Sequence, residues 1–192
     1  MINSKESYRF YLNEDKKALG IKKTPLLLFF NPYDIDLEIW AFQKALRRCE
    51  YLYNLDNKTF YWKIRKFLAA RKFKKLSCKL GFTINPNCFG PGLRIAHRGT
   101  IVVNGQSRIG ANCTINACVN IGAKFGFDKE VPKIGHNVYI GPGAKIYGDI
   151  TIADGCAIGA NSVVNKTCVN PNTILIGVPA IERGEVSIRL SN

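Results

Sequence analysis

The sequence has little of what catalytic metal sites and disulfide scaffolds need. It contains two histidines and one methionine, and none of its seven cysteines forms a pair at CxxC spacing. A zinc site with three histidine ligands therefore does not fit. No disulfide framework is indicated either. We expect no metal ion, and a reducing compartment.

Long hydrophobic segments are also missing. Residues 1–6 carry no apolar core of a signal peptide, and the longest dense apolar run, 26–30, is far shorter than a membrane span. We therefore expect a cytoplasmic protein.

Acidic residues are absent from one stretch of the chain. The net charge is +14, and residues 58–79 contain nine Lys or Arg and no Asp or Glu. Aromatic and aliphatic residues interleave with these cations. The stretch could be a solvated basic helix packed on the rest of the protein, or a helix at an anionic membrane surface on the inner membrane face. We do not expect nucleic acid as a partner, because no recognisable nucleic-acid module accompanies the charge.

What the sequence does have is a repeat of six residues. Aliphatic residues follow this step with one interval of thirteen residues, at Ile109, Ile115, Ile121, Ile134, Ile140, Ile146, Ile152, Ile158 and Val164. A small or apolar residue follows four positions after each of them, for example Cys113, Cys156 and Cys168. This period fits neither a helix nor a simple two-residue alternation, and it is typical of a repeat solenoid.

The six-residue step predicts a triangular coil. Alternation along a short strand points the aliphatic residue and the small residue inward, while Gly, Asn and Asp supply the turn. Three sides close a coil of about eighteen residues, and the coils stack at roughly 4.8 Å by parallel hydrogen bonds. The interval between Ile121 and Ile134 holds Lys124 to Glu130, which should leave the body as a loop. Two residues are inserted around Asn104-Gly105.

Three regions follow from these patterns. Residues 1–80 form an α-helical N-terminal segment, residues 81–180 form the solenoid domain, and residues 181–192 form a C-terminal tail. Apolar residues at helical spacing predict helices from about Tyr8, preceded by Ser4 and Ser7, to near Gly20, from Ile35 to about Cys49, and from Phe60 onward. Arg47 and Arg48 would then lie near the end of the second helix, as its dipole prefers.

Particular segments resemble a known family. The repeat ending in Ile158-Gly159-Ala160-Asn161-Ser162-Val163-Val164, with Gly177-Val178-Pro179-Ala180, resembles the hexapeptide acyltransferases. The stretch from Gly90-Pro91-Gly92 through His97 to Gly99 resembles serine acetyltransferases, especially the relatives encoded in capsule and exopolysaccharide gene clusters. The resemblance implies a mainly β fold, a left-handed parallel β-helix with an α-helical N-terminal segment. It also implies a homotrimer with active sites between neighbouring subunits.

The resemblance implies roles for particular residues. His97 matches the general base that removes the proton of the acceptor hydroxyl, which then attacks the thioester of acetyl-CoA. Small residues at Gly122, Gly141 and Ala160 would let the pantetheine arm approach. Lys166 and Arg183 would meet the phosphates of CoA, although each could equally be a solvated surface charge. We interpret His136 as structural.

Departures from the family pattern bear on the acceptor. Ala96 stands where serine acetyltransferases have Asp, Thr83-Ile84-Asn85-Pro86 replaces an Asp–Ile–His–Pro stretch, and Val131 replaces a second active-site histidine. A sugar hydroxyl in surface polysaccharide biosynthesis is therefore our expected acceptor. The alternative is serine, as in cysteine biosynthesis, and a third interpretation is a scaffold without activity. Asp128 or Glu130 of a neighbouring subunit is a candidate to orient His97.

Overall fold

Three helices and fourteen short strands make up the part of the chain that the structure describes. The structure, a computed structural model, describes residues 1–21, 35–55 and 57–186. Its helices are α1 (Lys5–Ala18), α2 (Ile35–Asn54) and α3 (Phe60–Leu80). Its strands are β1 (Phe82–Ile84), β2 (Arg94–Ile95), β3 (Ile101–Val103), β4 (Arg108–Ile109), β5 (Thr114–Ile115), β6 (Asn120–Gly122), β7 (Lys133–Ile134), β8 (Tyr139–Ile140), β9 (Lys145–Tyr147), β10 (Thr151–Ile152), β11 (Ala157–Ile158), β12 (Val163–Val164), β13 (Thr173–Gly177) and β14 (Ala180–Glu185). The apolar run 26–30 lies outside the described residues.

Local signals define the ends of α1 and α3. Ser4 caps α1: its side chain accepts from the Ser7 N–H, and the Ser7 hydroxyl oxygen accepts from the Ser4 N–H. Gly81 ends α3 at φ 78°, a left-handed conformation that glycine adopts without a steric penalty. The helices predicted at these two places are confirmed.

The strands form three sheets that the chain visits in rotation. Sheet 1 has the order β1-β3-β6-β9-β12, sheet 2 the order β4-β7-β10, and sheet 3 the order β2-β5-β8-β11-β13-β14. At the two ends of sheet 2, Phe89 forms a parallel bridge with Ile109 and Cys168 forms one with Ile152, so these two residues take the place of further strands. The chain therefore completes five circuits of sheets 1, 2 and 3, and every pair except β13–β14 is parallel.

The interior of the coil holds the residues that the repeat predicts. Each aliphatic position from Ile109 to Val164 is buried, and Ile115, Ile121, Ile140, Ile146 and Ile158 are 0% exposed. The smaller inward positions are buried as well, at Cys113, Val119, Val138, Ala144, Ile150, Cys156, Ser162 and Cys168. The cysteines of this register are free thiols, so the prediction that they act as small core residues is confirmed. Burial raises the pKa of the Cys113 thiol to about 12.

Different elements cover the two ends of the solenoid. Ile39, Phe42 and Leu46 of α2 belong to the same buried core as Phe82 and Ile84 of β1, so the helices close the first coil. At the other end β14 runs antiparallel to β13 and occupies the edge of sheet 3. The first residues of the expected C-terminal tail are therefore part of a strand. The division of the chain into domains stays a prediction.

A buried arginine joins α2 to α1 and to the first coil. The Arg47 guanidinium is 0% exposed. It donates to both carboxylate oxygens of Asp15, at 2.8 and 3.2 Å, and to Glu50 at 2.9 Å. It also donates to the carbonyls of Phe89 and Gly90, at 2.9 and 2.7 Å. We expected Arg47 near the end of its helix. That expectation was wrong, because α2 continues to Asn54 and this residue faces the solenoid.

The two carboxylates that face Arg47 also bind the backbone of the first coil. Asp15 accepts from the Leu93 N–H at 2.9 Å and Glu50 accepts from the Asn87 N–H at 2.8 Å. Burial by itself would lower the pKa of the guanidinium, but the charges of Glu50 and Asp15 outweigh burial and raise it. We name Asp15, Arg47 and Glu50 the buried triad.

Candidate active site

His97 lies at a corner of the coil, between sheet 3 and sheet 1. It follows Ile95, the buried last residue of β2, and the Ala96 N–H donates to the Ile115 carbonyl of the next coil at 3.0 Å. The His97 side chain is exposed and has no hydrogen-bond partner among the described residues. Neither ring nitrogen is therefore engaged by the part of the chain that the structure describes.

An ion-pair cluster ties the His97 corner to the helices. Arg98 donates to Glu38 of α2 at 3.0 Å, and Lys79 of α3 donates to the same carboxylate at 2.6 Å. The hydrogen bond from Lys79 and the charge of Arg98 lower the pKa of Glu38. The Gly99 N–H donates to the Leu80 carbonyl at 3.2 Å. No local sequence pattern indicated this cluster, because Glu38 lies 60 positions before Arg98.

Two of the predicted cofactor residues lie at the corner of His97. Strand register pairs Ile95 with Ile115, Ile115 with Ile140, and Ile140 with Ile158. Gly141 directly follows Ile140, and Ala160 lies two residues after Ile158, as His97 does after Ile95. Both therefore lie at this corner, two and three coils beyond His97.

Packing alone explains why residue 141 is a glycine. A Cβ there would meet the Ile158 carbonyl oxygen at 2.7 Å and the Ala160 nitrogen at 2.9 Å. Coils could not stack this closely with a side chain at that position. Glycine at 141 therefore does not by itself indicate a cofactor.

The remaining cofactor candidates lie elsewhere on the chain. Gly122 ends β6, and Lys166 follows β12, so both are at the corner between sheets 1 and 2. A Cβ on Gly122 would meet only the side-chain oxygen of Asn120, at 3.3 Å, so coil stacking does not require glycine there. Arg183 is exposed on β14. One chain therefore does not bring the five residues together with His97.

The loop predicted after Ile121 leaves the body at the corner of Gly122. The Lys124 N–H donates to the Glu130 carbonyl at 3.0 Å, and the two side chains form an ion pair at 3.4 Å. The Lys124 ammonium also lies 4.8 Å from the centre of the Phe127 ring. Phe125, at the tip, is 100% exposed. Within one chain the Glu130 carboxylate therefore faces Lys124, and the role predicted for Asp128 or Glu130 stays a prediction.

His136 links three successive coils. Its ring Nδ1 accepts from the backbone N–H of Ala111 at 3.0 Å, and its backbone N–H donates to Asp154 Oδ1 at 2.7 Å. These bonds lie at the corner between sheets 2 and 3, away from the corner of His97. They fit the structural role that we predicted for this histidine.

Cys118 holds an unusual backbone conformation next to the His97 corner. It lies one coil further along, three residues after Ile115, with φ 62°. The other positive-φ residues that are not glycine are all asparagine, which adopts this region more readily. The Lys145 ammonium donates to the Cys118 carbonyl at 2.6 Å. Sequence analysis assigned no role to this residue.

A cavity of about 280 Å³ lies apart from His97, where α1 and α2 meet the first coil. Its lining includes Ile2, Tyr11, Glu50, Asn87 and Arg108. Among residues 1–21, 35–55 and 57–186, no group of three or more His, Cys, Asp or Glu could hold a metal ion.

Sequence comparison connects this architecture to known proteins. Residues 132–166 match the family described as "Bacterial transferase hexapeptide (six repeats)". The serine acetyltransferase of Staphylococcus epidermidis is 39% identical over 124 residues, and that of Staphylococcus xylosus is 37% identical over 124 residues. Each alignment covers 62% of this chain and 56% of the relative. The chain thus spans little more than half the length of these relatives.

Solved structures give a similar result over more of the chain. Serine acetyltransferase of Brucella abortus in complex with coenzyme A has a TM-score of 0.73 at 26% identity, covering 96% of this chain and 71% of that one. Serine acetyltransferase of Neisseria gonorrhoeae has a TM-score of 0.67 at 28% identity, covering 97% and 70%. Residues 132–166 therefore carry the repeat of the hexapeptide transferases, and the sequence and fold of the chain are similar to those of serine acetyltransferases.

Proposed function

We propose that the protein is an acetyl-CoA-dependent O-acetyltransferase in which His97 is the general base. The observation that carries the proposal is the exposed imidazole of His97, which has no hydrogen-bond partner among the described residues and lies on a corner of a fold similar to that of serine acetyltransferases. The structure with the higher TM-score of the two given above contains coenzyme A, which supports CoA as the carrier of the acetyl group. The proposal requires no metal ion.

The chemistry needs one group from this corner. A nitrogen of the His97 imidazole accepts the proton of the acceptor hydroxyl, and the hydroxyl oxygen attacks the thioester carbon. The C–S bond then breaks, the acetyl ester forms, and the imidazolium returns its proton to the CoA thiolate. Imidazole suits this task because its ordinary pKa lies near neutral pH.

L-Serine is the acceptor that the comparisons favour. The relatives and the structural neighbours carry the name serine acetyltransferase. None of the names given above refers to a polysaccharide, so the sugar hydroxyl that we first expected loses support. We therefore propose serine O-acetylation as the leading function.

One observation keeps an uncharged acceptor as a second candidate. Four positions that carry Asp or His in the serine acetyltransferase pattern are Thr83, Asn85, Ala96 and Val131 here. Val131 is 7% exposed, so its apolar side chain is buried and offers no polar group to an acceptor. A sugar hydroxyl has no ammonium or carboxylate group that these positions would need to bind.

The cofactor residues fit a site formed between copies of the chain. We propose a homotrimer in which the His97 corner, with Gly141 and Ala160, faces the corner of a neighbour that carries Gly122 and Lys166. Pantetheine would lie along the groove, and Lys166 and Arg183 would contact the phosphates. The left hand of the coil belongs to the same proposal, because it is carried over from the family.

An acceptor comparison tests the function. Purified protein is given acetyl-CoA with L-serine, with L-alanine, which lacks only the hydroxyl, and with nucleotide-activated sugars. Thioester loss is followed by absorbance and the product by mass spectrometry. We expect acetylation of L-serine and none of L-alanine. Turnover with sugars alone would transfer the proposal to the second candidate, and no turnover with any hydroxyl acceptor would reject acetyl transfer.

A further inference from the structure

Helix α3 exposes large apolar side chains on the side that faces away from the protein. Phe60, Ile64 and Phe67 follow a spacing of four and three residues, which places them on one stripe of the helix. Phe60 is 79% exposed and Phe67 is 64% exposed, and Tyr61 and Leu68 flank the stripe at 65% and 56%. Such a cluster is rare on the free surface of a soluble domain.

The opposite side of α3 already has a packing partner. Ala69 and Leu80 are buried, and the half-buried Trp62 and Phe73 pack against residues of α2 and its core. The Trp62 indole N–H donates to the Leu52 carbonyl at 3.2 Å. The apolar stripe is thus a second apolar face, which the folded chain does not need for its own core.

Unpaired cations surround this stripe. α3 contains no acidic residue. Five of its cations have neither an ion pair nor a contact with an aromatic ring within the described part of the chain: Lys63, Arg71, Lys72, Lys74 and Lys75. Arg71, Lys74 and Lys75 lie on the outward side, directly after the apolar stripe. We name Phe60, Tyr61, Ile64, Phe67 and Leu68, together with these outward cations, the α3 outer face.

We propose that the α3 outer face binds the surface of an anionic lipid bilayer. Apolar side chains would enter the boundary between headgroups and acyl chains, and the long Lys and Arg side chains would reach the lipid phosphates. Among the described residues, no helix combines the length and the apolar content that a membrane span requires.

Charge and chemistry distinguish this occupant from two others. A second copy of α3 would bring cations against cations with no acid to compensate them. Nucleic acid would satisfy the charges, but exposed Ile64 and Leu68 offer nothing to phosphates or to base edges. An anionic bilayer is the partner that satisfies both the apolar stripe and the cations.

Vesicle binding by the full 192-residue chain tests the proposal. Vesicles of phosphatidylglycerol and phosphatidylcholine are compared with vesicles of phosphatidylcholine alone. We expect cosedimentation with the anionic vesicles only, weakened near 1 M salt, where the screening length falls to about 3 Å. K74Q/K75Q should weaken binding about 30-fold, at about 1 kcal/mol for each charge near the surface. F60S/F67S should weaken it by about tenfold or more, because the apolar anchors are lost.

Matched variants control for general changes in charge and apolar surface. F10S removes a similarly exposed phenylalanine of α1, and K5Q/K16Q removes two exposed lysines of the same helix. Both should bind vesicles as the unmodified chain does. Circular dichroism and thermal unfolding check that every variant is folded.

Three outcomes would overturn the proposal. The first is no binding to anionic vesicles at low salt by the folded protein. The second is binding to DNA or RNA that needs Lys74 and Lys75 but is indifferent to F60S/F67S, with no vesicle binding. The third is self-association in sedimentation velocity that F60S/F67S abolishes, again without vesicle binding. The assay does not use acetyl transfer, so its result is independent of the proposed enzymatic function.

Discussion

At the scale of single residues, we expect substitutions of the two histidines to have opposite effects on kcat. His97 has an exposed side chain without a hydrogen-bond partner among the described residues, whereas the His136 Nδ1 accepts from the backbone N–H of Ala111 in the preceding coil. H97A should lower kcat by about 100-fold or more, because the acceptor hydroxyl loses its base. H136A should keep kcat near that of the unmodified protein and cost about 1 kcal/mol of stability. Steady-state kinetics and urea unfolding measure the two quantities.

The pair of histidine variants separates catalysis from folding. If H97A keeps the full rate while remaining folded, the general-base role is refuted. If H136A loses the rate as strongly as H97A, the corner between sheets 2 and 3 takes part in the reaction and our structural interpretation is wrong.

Cys118 gives a second prediction at this scale, through backbone strain. Cys118 and Asn161 occupy the same position at the same corner, three residues after an inward isoleucine, at φ 62° and φ 56°. Left-handed backbone costs most side chains roughly 1–2 kcal/mol, and asparagine relieves part of this cost by local hydrogen bonding. C118N should therefore raise the free energy of unfolding by about 1 kcal/mol. The mirror variant N161C should lower it, and a loss of stability in C118N would contradict the strain argument.

At the scale of elements, the buried triad connects α1, α2 and the first coil. Replacing Arg47 leaves the carboxylates of Asp15 and Glu50 buried without a counter-charge. Removing one partner of a buried ion pair typically costs about 3–5 kcal/mol. R47M should therefore lower the free energy of unfolding by about that amount, measured by urea denaturation.

The neighbouring arginine is the matched control for this variant. Arg48 is exposed, so R48M should change stability by no more than about 0.5 kcal/mol. Equal losses in R47M and R48M would mean that general charge, and not the triad, accounts for the effect.

The triad also shows where sequence reasoning ends. The six-residue period predicted the coil and its buried positions, because each inward residue depends only on its place in the strand. The long-range pairs depended on how the helices pack on the coil, and no local pattern records that. Arg47 binds Asp15, which lies 32 positions earlier in the sequence, so the residues next to Arg47 indicated only the end of a helix. The same limit hid the Glu38 cluster at the His97 corner.

At the scale of the whole molecule, the candidate site divides between two corners. His97, Gly141 and Ala160 lie between sheets 3 and 1, and Gly122, Lys166 and the loop from Lys124 to Glu130 lie between sheets 1 and 2. A coil of three flat sides keeps these corners apart within one chain. A site that uses both must therefore join two copies, which makes the proposed homotrimer a requirement of the proposed catalysis.

Subunit complementation tests this requirement. H97A is co-expressed with a second variant in which two glycines replace the loop 124–130, and each chain carries its own tag. Neither variant alone should be active. In a three-fold ring, each site combines the His97 corner of one chain with the loop corner of the next chain. With random mixing of the two variants, both corners are intact in about a quarter of the sites. Hybrids purified through both tags should therefore acetylate the acceptor. Inactive hybrids made from two folded variants would instead assign both corners to a site within a single chain.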